Sequence, residues 1–299
     1  MQLQHIVVAS DETDAGRSAA RAGIDLAHRA GARLTFMTVI PAEPVPAMVG
    51  FGASAGLTPG AGVITETSDR LEQWLEAELT SAAPLTSVGT GIAFGIPSIE
   101  ICRFAEDRGA DLLILGRKSR NRAARLLLGD TADAVARRSQ VPSLYVPPGA
   151  GPISRILVAL DATERGLVVF RYACLVASAI GASILLVTVE PAYTNEPESL
   201  AAALPTGRSL ALMKRVTALA EADSLDCLLR PQDGHGPREL VAVRRGNVVE
   251  QVLEAARETD ADVLAVGYHR GGPPGSIEGG SVARRLAHQA PCALLTVPL

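Results

Sequence analysis

Aromatic side chains are scarce in this sequence, at 3% of 299 residues with a single tryptophan. Few platforms are left on which unpaired nucleic-acid bases could stack. Positive charge is not in excess either. The net charge is −4, so no global field draws the chain to nucleic acid or to an anionic membrane surface. Cysteine is limited to Cys102, Cys174, Cys227 and Cys292, none in a C-x-x-C pair. The expectation is reduced thiols in a cytoplasmic protein. His5, His28, His235, His269 and His288 fall at no metal-ligand spacing, so no metal site is expected. The Walker, nucleophile-elbow and dinucleotide glycine signatures are missing, and no Ser–His–acid set is suggested by local sequence. Nothing here demands catalysis, and no catalytic residue is assigned.

Long apolar runs are also rare. The N-terminus, Met1-Gln2-Leu3-Gln4-His5, lacks a basic region, and the run after it is too short for a signal peptide. Tyr172 to Val189 carries no formal charge and has the length of a short membrane span. Gly181 interrupts it, and the matching stretch earlier in the chain, Ala22 to Val39, holds Asp25, His28, Arg29 and Arg33. The run is therefore read as a buried helix followed by a buried strand.

That comparison is possible because the chain repeats itself. Ile6-Val7-Val8-Ala9-Ser10-Asp11 returns as Ile156-Leu157-Val158-Ala159-Leu160-Asp161, and Asp111-Leu112-Leu113-Ile114-Leu115-Gly116 as Asp262-Val263-Leu264-Ala265-Val266-Gly267. The offset hardly drifts, from 161 − 11 = 150 to 280 − 129 = 151. A unit of this length is a duplicated domain rather than a solenoid repeat, whose period is roughly 20–50 residues. The organisation read from it is one domain over 1–147, a proline-stiffened linker over 148–152, and a second domain over 153–299.

Within the first copy, Ile6 to Ala9 reads as a strand, then a helix from Ala15 to Ala30 stops at Gly31. Leu34 to Ile40 is a second strand and Pro41 to Gly62 a long loop. A helix is expected over Ser68 to Ala82, and a third strand over Val88 to Phe94. Pro97 opens a helix, Leu112 to Leu115 is a strand, Thr131 to Ser139 a helix and Leu144 to Val146 the fifth strand. The second copy repeats the order, with a polar insertion at Arg230 to Pro237 and Asn247 as a helix cap. Strand–helix alternation implies right-handed crossovers. The fold class is α/β, two tandem doubly wound domains, each a five-stranded parallel sheet with helices on both faces. Ligands of such sheets bind beyond the carboxyl ends of the strands, at the switch point of strand order. That directs attention to Asp11, Asp161 and the loops after Gly116 and Gly267.

Those loops have constant length. A strand ends in glycine and, 129 − 116 = 13 and 280 − 267 = 13 residues on, a second glycine opens a helix. Glycine admits close backbone approach, and a helix N-terminus offers free N–H groups to an anion. Each half resembles a universal stress protein domain, and the whole a tandem member of that family. The resemblance rests on the strand-one aspartate, the Gly-Ala-x-Leu approach to strand two and the Ala-Asp-x-x-x-x-Gly approach to the loop. It implies a Rossmann-like, adenine nucleotide alpha hydrolase-like fold.

The ATP-binding branch of that family carries G-x2-G-x9-G-[S/T] in this loop, and neither copy keeps it whole. The first reads Gly116-Arg117-Lys118-Ser119, nine residues, Gly129-Asp130; the second reads Gly267-Tyr268-His269-Arg270, nine residues, Gly280-Ser281. Asp130 is a good helix cap but places a carboxylate where phosphate would sit. The second copy keeps a neutral hydroxyl. The resemblance implies a stress-response regulator with an adenine-nucleotide site, ATP (with Mg) or AMP, favoured in the second domain. Its residues would be Asp161, Val189, Gly267, Arg270, Gly280 and Ser281. The degenerate counterpart is Asp11, Val39, Gly116, Ser119, Gly129 and Asp130. It also implies a pseudo-dimer of the two domains, with homodimerisation and a protein partner beyond that. The alternatives are a nucleotide-independent interaction scaffold, or a binder of another phosphorylated ligand through the basic loop 117–125.

Overall fold

The computed structural model describes residues 2–42, 61–79, 85, 87–117, 130–161, 163–190, 207–222, 241–268 and 281–299. Contacts divide the chain into two units, one built on Gln4–Lys118 and Leu128–Pro148, the other on Gly149–Leu299. The first unit runs β1 (His5–Ala9), α1 (Asp14–Ala30), β2 (Arg33–Pro41), α2 (Ala61–Leu79), β3 (Val88–Gly95), α3 (Pro97–Asp107), β4 (Leu112–Gly116), α4 (Asp130–Arg138) and β5 (Ser143–Val146). The second runs β6 (Arg155–Leu160), α5 (Glu164–Ile180), β7 (Ser183–Glu190), α6 (Gly207–Ala222), β8 (Val241–Arg245), α7 (Val248–Glu258), β9 (Val263–Tyr268), α8 (Ser281–Gln289) and β10 (Ala293–Pro298). Strand order is β3-β2-β1-β4-β5 in the first unit and β8-β7-β6-β9-β10 in the second. Every one of these neighbours is parallel.

After their first residues, His5 and Arg155, the central strands β1 and β6 are apolar because helices cover both faces. Ile6, Val7, Val8, Leu112, Leu113 and Ile114 are fully buried. Gly23 of α1 lies against Val8, Ile114 and Leu34, and Trp74 of α2 meets Phe36 edge-on with ring centroids 6.2 Å apart. Leu34 and Phe36 share one face of β2 by the period of two, so α1 and α2 cover that face together. Phe104 of α3 packs on Gly91, whose partner in the ladder is Met37, and so covers the other face. Between α1 and α2 a buried carboxylate, Glu78, is held by Arg17 at 3.4 Å and Arg21 at 3.0 Å. In the second unit Glu164 of α5 pairs with Arg215 of α6, with the signs exchanged between the helices.

A second duplicated device sits at the amino ends of the strands. The Asp111 carboxylate accepts the N–H groups of Gln4 at 2.8 Å and His5 at 2.9 Å. Asp262 accepts those of Ser154 and Arg155, both at 2.8 Å. Each aspartate staples the start of the central strand to the strand beside it. In the first unit the neighbouring His5 ring is buried, with Nε2 2.9 Å from Thr35 Oγ1 and Nδ1 2.9 Å from an Arg33 nitrogen.

Most expected elements are in place, with ends displaced by a residue or so. The apolar run Tyr172 to Val189 is broken as expected: α5 ends at Ile180, Gly181 adopts the left-handed conformation at φ 65°, and β7 follows. No described helix is long and apolar enough to cross a membrane. Asn247 caps α7, accepting from Val249 N–H at 3.0 Å and Glu250 N–H at 3.4 Å. Helix α2 is a correction, since it starts at Ala61 rather than Ser68. Gly62 and the β-branched Val63-Ile64-Thr65 weaken the helical signal there. The added turns leave Val63 and Ile64 exposed, so they lack the buried stripe that marks the rest of the helix. The expected end at Ala82, residues 43–60 of the long loop and the insertion at Arg230 to Pro237 lie outside the described residues.

Candidate functional site

In each unit the chain leaves the central strand, β1 or β6, toward β2 or β7, and returns to its other side as β4 or β9. In sheets of this order the loops after the central strand and after β4 or β9 diverge, and a ligand crevice is expected between them at the carboxyl ends. Asp11 and Asp161 stand on one lip, Gly116 and Gly267 on the other.

Asp11 is exposed, and its Oδ1 accepts the Thr13 hydroxyl at 2.6 Å. Thr13 Oγ1 in turn accepts Gly16 N–H at 3.2 Å and caps α1. The second copy repeats the relay: Asp161 Oδ1 accepts the Thr163 hydroxyl at 2.7 Å, and Thr163 accepts Arg165 N–H at 3.2 Å. Each aspartate thus acts on the helix cap through a threonine, and Asp11 Oδ1 also accepts the Thr13 N–H at 3.4 Å. The relay needs closeness that only glycine allows. A Cβ on Gly16 would come within 2.6 Å of Ser10 Oγ and 3.0 Å of Asp11 Oδ1, and one on Gly166 within 2.6 Å of Asp161 Oδ1. These two glycines were missed in the sequence, although both fall in the first turn of the matching helix at the repeat offset. Glu12, between Asp11 and Thr13, has φ 61° and pairs with Arg70 of α2 at 2.9 Å.

Gly116 ends β4 as expected, whereas β9 runs one residue past Gly267 to Tyr268, and different neighbours close over the two glycines. A Cβ on Gly116 would lie 2.4 Å from the Ala15 carbonyl carbon and 2.8 Å from Gly16 N, so the first turn of α1 sits directly on it. A Cβ on Gly267 would meet side chains, Leu299 Cδ1 at 2.4 Å and Val169 Cγ2 at 3.1 Å. The next residue in each copy is buried, Arg117 at 0% and Tyr268 at 4% exposure. Arg117, the first residue of the basic loop 117–125, is thus an interior side chain. Its N–H donates to Val146 O at 2.8 Å, extending the β4–β5 ladder one residue and drawing the side chain inside.

Val39 and Val189 are half-buried near the ends of β2 and β7, opposite Ala93 and Arg244. At the following position the copies part. Ile40 faces Phe94 in the first, whereas Glu190 faces Arg245 in the second. Glu190 is buried, accepting the Ser209 hydroxyl at 2.5 Å and Arg245 Nε at 3.3 Å. Arg244, on the other face, reaches Glu254 and Glu258 of α7. Asp130 is exposed as the first residue of α4, within the helix rather than before it, where its charge complements the helix dipole. Ser281 begins α8. Ser119, Gly129, Arg270 and Gly280 lie outside the described residues, as does most of each glycine-flanked loop. Among the described residues no cluster of three or more His, Cys, Asp or Glu could hold a metal ion.

Two five-stranded parallel α/β domains, each with an aspartate and a strand-end glycine flanking its switch point, define a tandem, Rossmann-like protein. The chain belongs to the universal stress protein family, whose model matches residues 2–147 and again 152–298. A universal stress protein of Methanocaldococcus jannaschii is 25% identical over 146 residues, spanning 47% of this chain and 80% of that protein. A putative universal stress protein of Staphylococcus haemolyticus is 25% identical over 150 residues, 49% of this chain and 86% of its own length. Among solved structures, a universal stress protein from Archaeoglobus fulgidus is 16% identical, with a TM-score of 0.68 over 100% of this chain and 99% of its own. At that identity the likeness speaks for the fold.

Proposed function

We propose that this protein is a non-catalytic, cytoplasmic stress-response regulator that binds an adenine nucleotide, ATP or AMP, at the switch-point crevice of its second domain. The observation that carries the reading is the duplicated pairing of an aspartate-to-threonine helix cap with a strand-end glycine across that crevice. Asp161, Val189, Gly267, Arg270, Gly280 and Ser281 would form the site, and Mg would accompany ATP. Asp11, Val39, Gly116, Ser119, Gly129 and Asp130 form its weakened counterpart. Two features favour the second domain. Ser281 starts α8 with a neutral hydroxyl where Asp130 starts α4 with a carboxylate. Like charges about 4 Å apart repel by roughly 1–4 kcal/mol between water and a protein surface, up to about a thousandfold in affinity. Gly267 is also closed only by side-chain ends, which can move, while Gly116 is closed by helix backbone.

Nucleotide carried through purification is read by denaturing the protein and chromatographing the supernatant. Calorimetric titration of ATP and AMP then compares variants. Ser281→Asp is expected to abolish binding, and Asp130→Ser to create or strengthen a site in the first domain. Binding unchanged by Ser281→Asp refutes the assignment to the second domain. One observation favours a second reading, a nucleotide-independent scaffold. Beside Val189 the second domain pairs buried Glu190 with half-buried Arg245, where the first offers apolar Ile40 and Phe94. Absence of adenine-nucleotide binding at millimolar concentration selects that reading.

A further inference from the structure

The outer strands of the two units differ sharply. Strand β8 has five residues and ends in Arg244 and Arg245, each tied to glutamates. Short length and charge are the usual protection of a sheet edge against pairing with another chain. Strand β3 has neither. It runs eight residues, V-G-T-G-I-A-F-G, in unbroken register with β2 from Leu34↔Val88 to Pro41↔Gly95. The sequence carries no charged residue from Thr80 to Ile99. Exposed apolar side chains flank the strand: Val88 at its start, and Ile96 and Ile99 just beyond its end. Among the described residues no strand pairs with its outer edge.

The direction of its free backbone groups follows from the ladder. Ser87 and Gly95 offer their carbonyls inward, to Leu34 N–H at 2.9 Å and Ala42 N–H at 3.1 Å. By the period of two, Gly89, Gly91 and Ala93 also face β2, while Val88, Thr90, Ile92 and Phe94 turn their N–H and C=O groups outward. These outward residues are all β-branched or aromatic, the types that favour strand pairing. They are also symmetric about Gly91.

We propose that β3 is a self-pairing edge, through which two copies of this chain associate about a two-fold axis at Gly91. In an antiparallel pair centred there, Val88 exchanges both backbone hydrogen bonds with Phe94 of the second copy, and Thr90 with Ile92. Gly91 meets Gly91, and Gly89 meets Ala93. No like charges are opposed, and the positions nearest the axis are small. Phe104 already covers Gly91 from α3, so that a Cβ there would lie 2.4 Å from its ring. The two rings then face each other across the axis, and Val88, Ile96 and Ile99 leave solvent. A two-fold interface must be self-complementary, and the neutrality and symmetry of this edge supply that. The inference stands independently of nucleotide binding.

Sedimentation velocity on the full chain tests it. The wild type is expected to sediment as a pair of 31.1 kDa chains. Ile92→Pro removes an outward N–H without breaking the β2–β3 ladder, and Val88→Lys puts charge on an exposed edge position. Both are expected to sediment as single chains with the emission of Trp74 unchanged, which reports that the domain is folded. Val243→Pro, at the matching position of β8, is expected to leave the pair intact. A wild type that stays single at the highest soluble concentration overturns the proposal. So does a folded Val88→Lys or Ile92→Pro that still pairs. Capture of an extended neutral peptide by a single wild-type chain would likewise overturn self-pairing and make the edge a peptide dock.

Discussion

Adding one methyl group at equivalent glycines should separate the two domains. In Gly116→Ala the new carbon falls 2.4 Å from the Ala15 carbonyl carbon, 2.5 Å from its oxygen and 2.8 Å from Gly16 N. Carbon contacts are comfortable only near 3.5–4.0 Å, so α1 must move about an ångström away from β4. Overpacking of this kind costs about 1–3 kcal/mol. The reduced freedom of the unfolded chain returns about 0.4–1 kcal/mol. A net loss of about 1 kcal/mol follows, or a fall in Tm of about 2–4 °C for a domain of this size. In Gly267→Ala the new carbon meets Leu299 Cδ1 at 2.4 Å and Val169 Cγ2 at 3.1 Å. These are the far ends of side chains rather than backbone and can swing aside, so the change should stay within about 0.5 kcal/mol. Trp74 is the single tryptophan and lies in the first unit, so its fluorescence in urea reads the Gly116 effect and calorimetry reads both. Equal losses in the two variants, or a Trp74 transition unmoved by Gly116→Ala, would refute the packing difference.

Two further outcomes concern the amino ends of the strands. Burial, then the Arg33 charge, holds the His5 imidazole below its ordinary value, against the raising effects of the Arg108 carbonyl and Asp111. Nδ1 lies 2.9 Å from an Arg33 nitrogen, which can only donate, and 3.2 Å from the Arg108 carbonyl, which can only accept, while Nε2 lies 2.9 Å from Thr35 Oγ1. The unfolded chain therefore binds the proton more tightly below about pH 6.5, and this share of stability, whole above that pH, is lost as the pH falls. His5→Gln should flatten the acid side of a stability–pH profile read through Trp74; an unchanged slope would exclude His5 as the cause. Asp111→Ala and Asp262→Ala each strand two backbone N–H groups that had a charged acceptor. Because these groups reach water, each change should cost about 1–2 kcal/mol, and calorimetry showing a loss in only one domain would break their equivalence.

The fold was legible because it was written twice. A segment ambiguous in one copy, such as the apolar run through Gly181, was settled by its charged counterpart in the other. The parallel sheet and its two helical layers followed from alternation alone, while the strand order did not. Nor did the side-chain relays. Asp11 and Asp161 were found by position, but the threonine that takes their hydrogen bond is two residues on, and the glycines that permit it carry no periodic signal. Arg117 was misplaced for a related reason. A basic residue after a strand-end glycine looks like solvated loop, and only the bond from its N–H to the Val146 carbonyl shows that the backbone is still held against β5. The start of α2 was hidden because its first turns bury nothing.

The places where the copies agree and differ obey one distinction. Asp111, Asp262, Thr13 and Thr163 all bind main chain, which is present whatever the neighbouring side chains are, so each copy can keep the contact unaided. Cross-strand pairs need only suit each other. Ile40 opposite Phe94 can become Glu190 opposite Arg245 provided both change and a third group, Ser209, takes up the remaining carboxylate oxygen. Glu190 is buried while Arg245 is a third exposed, and a buried carboxylate that loses its cation is destabilised, so this substitution is held in place once made. It puts fixed charge beside Val189, at the lip of the crevice where a ligand of the second domain would lie. The first domain, apolar at that point and unguarded along β3, presents the opposite surface. Divergence has therefore acted on the ends and edges of the sheets, the places where an α/β domain meets other molecules, while the main-chain contacts that define the fold stayed fixed.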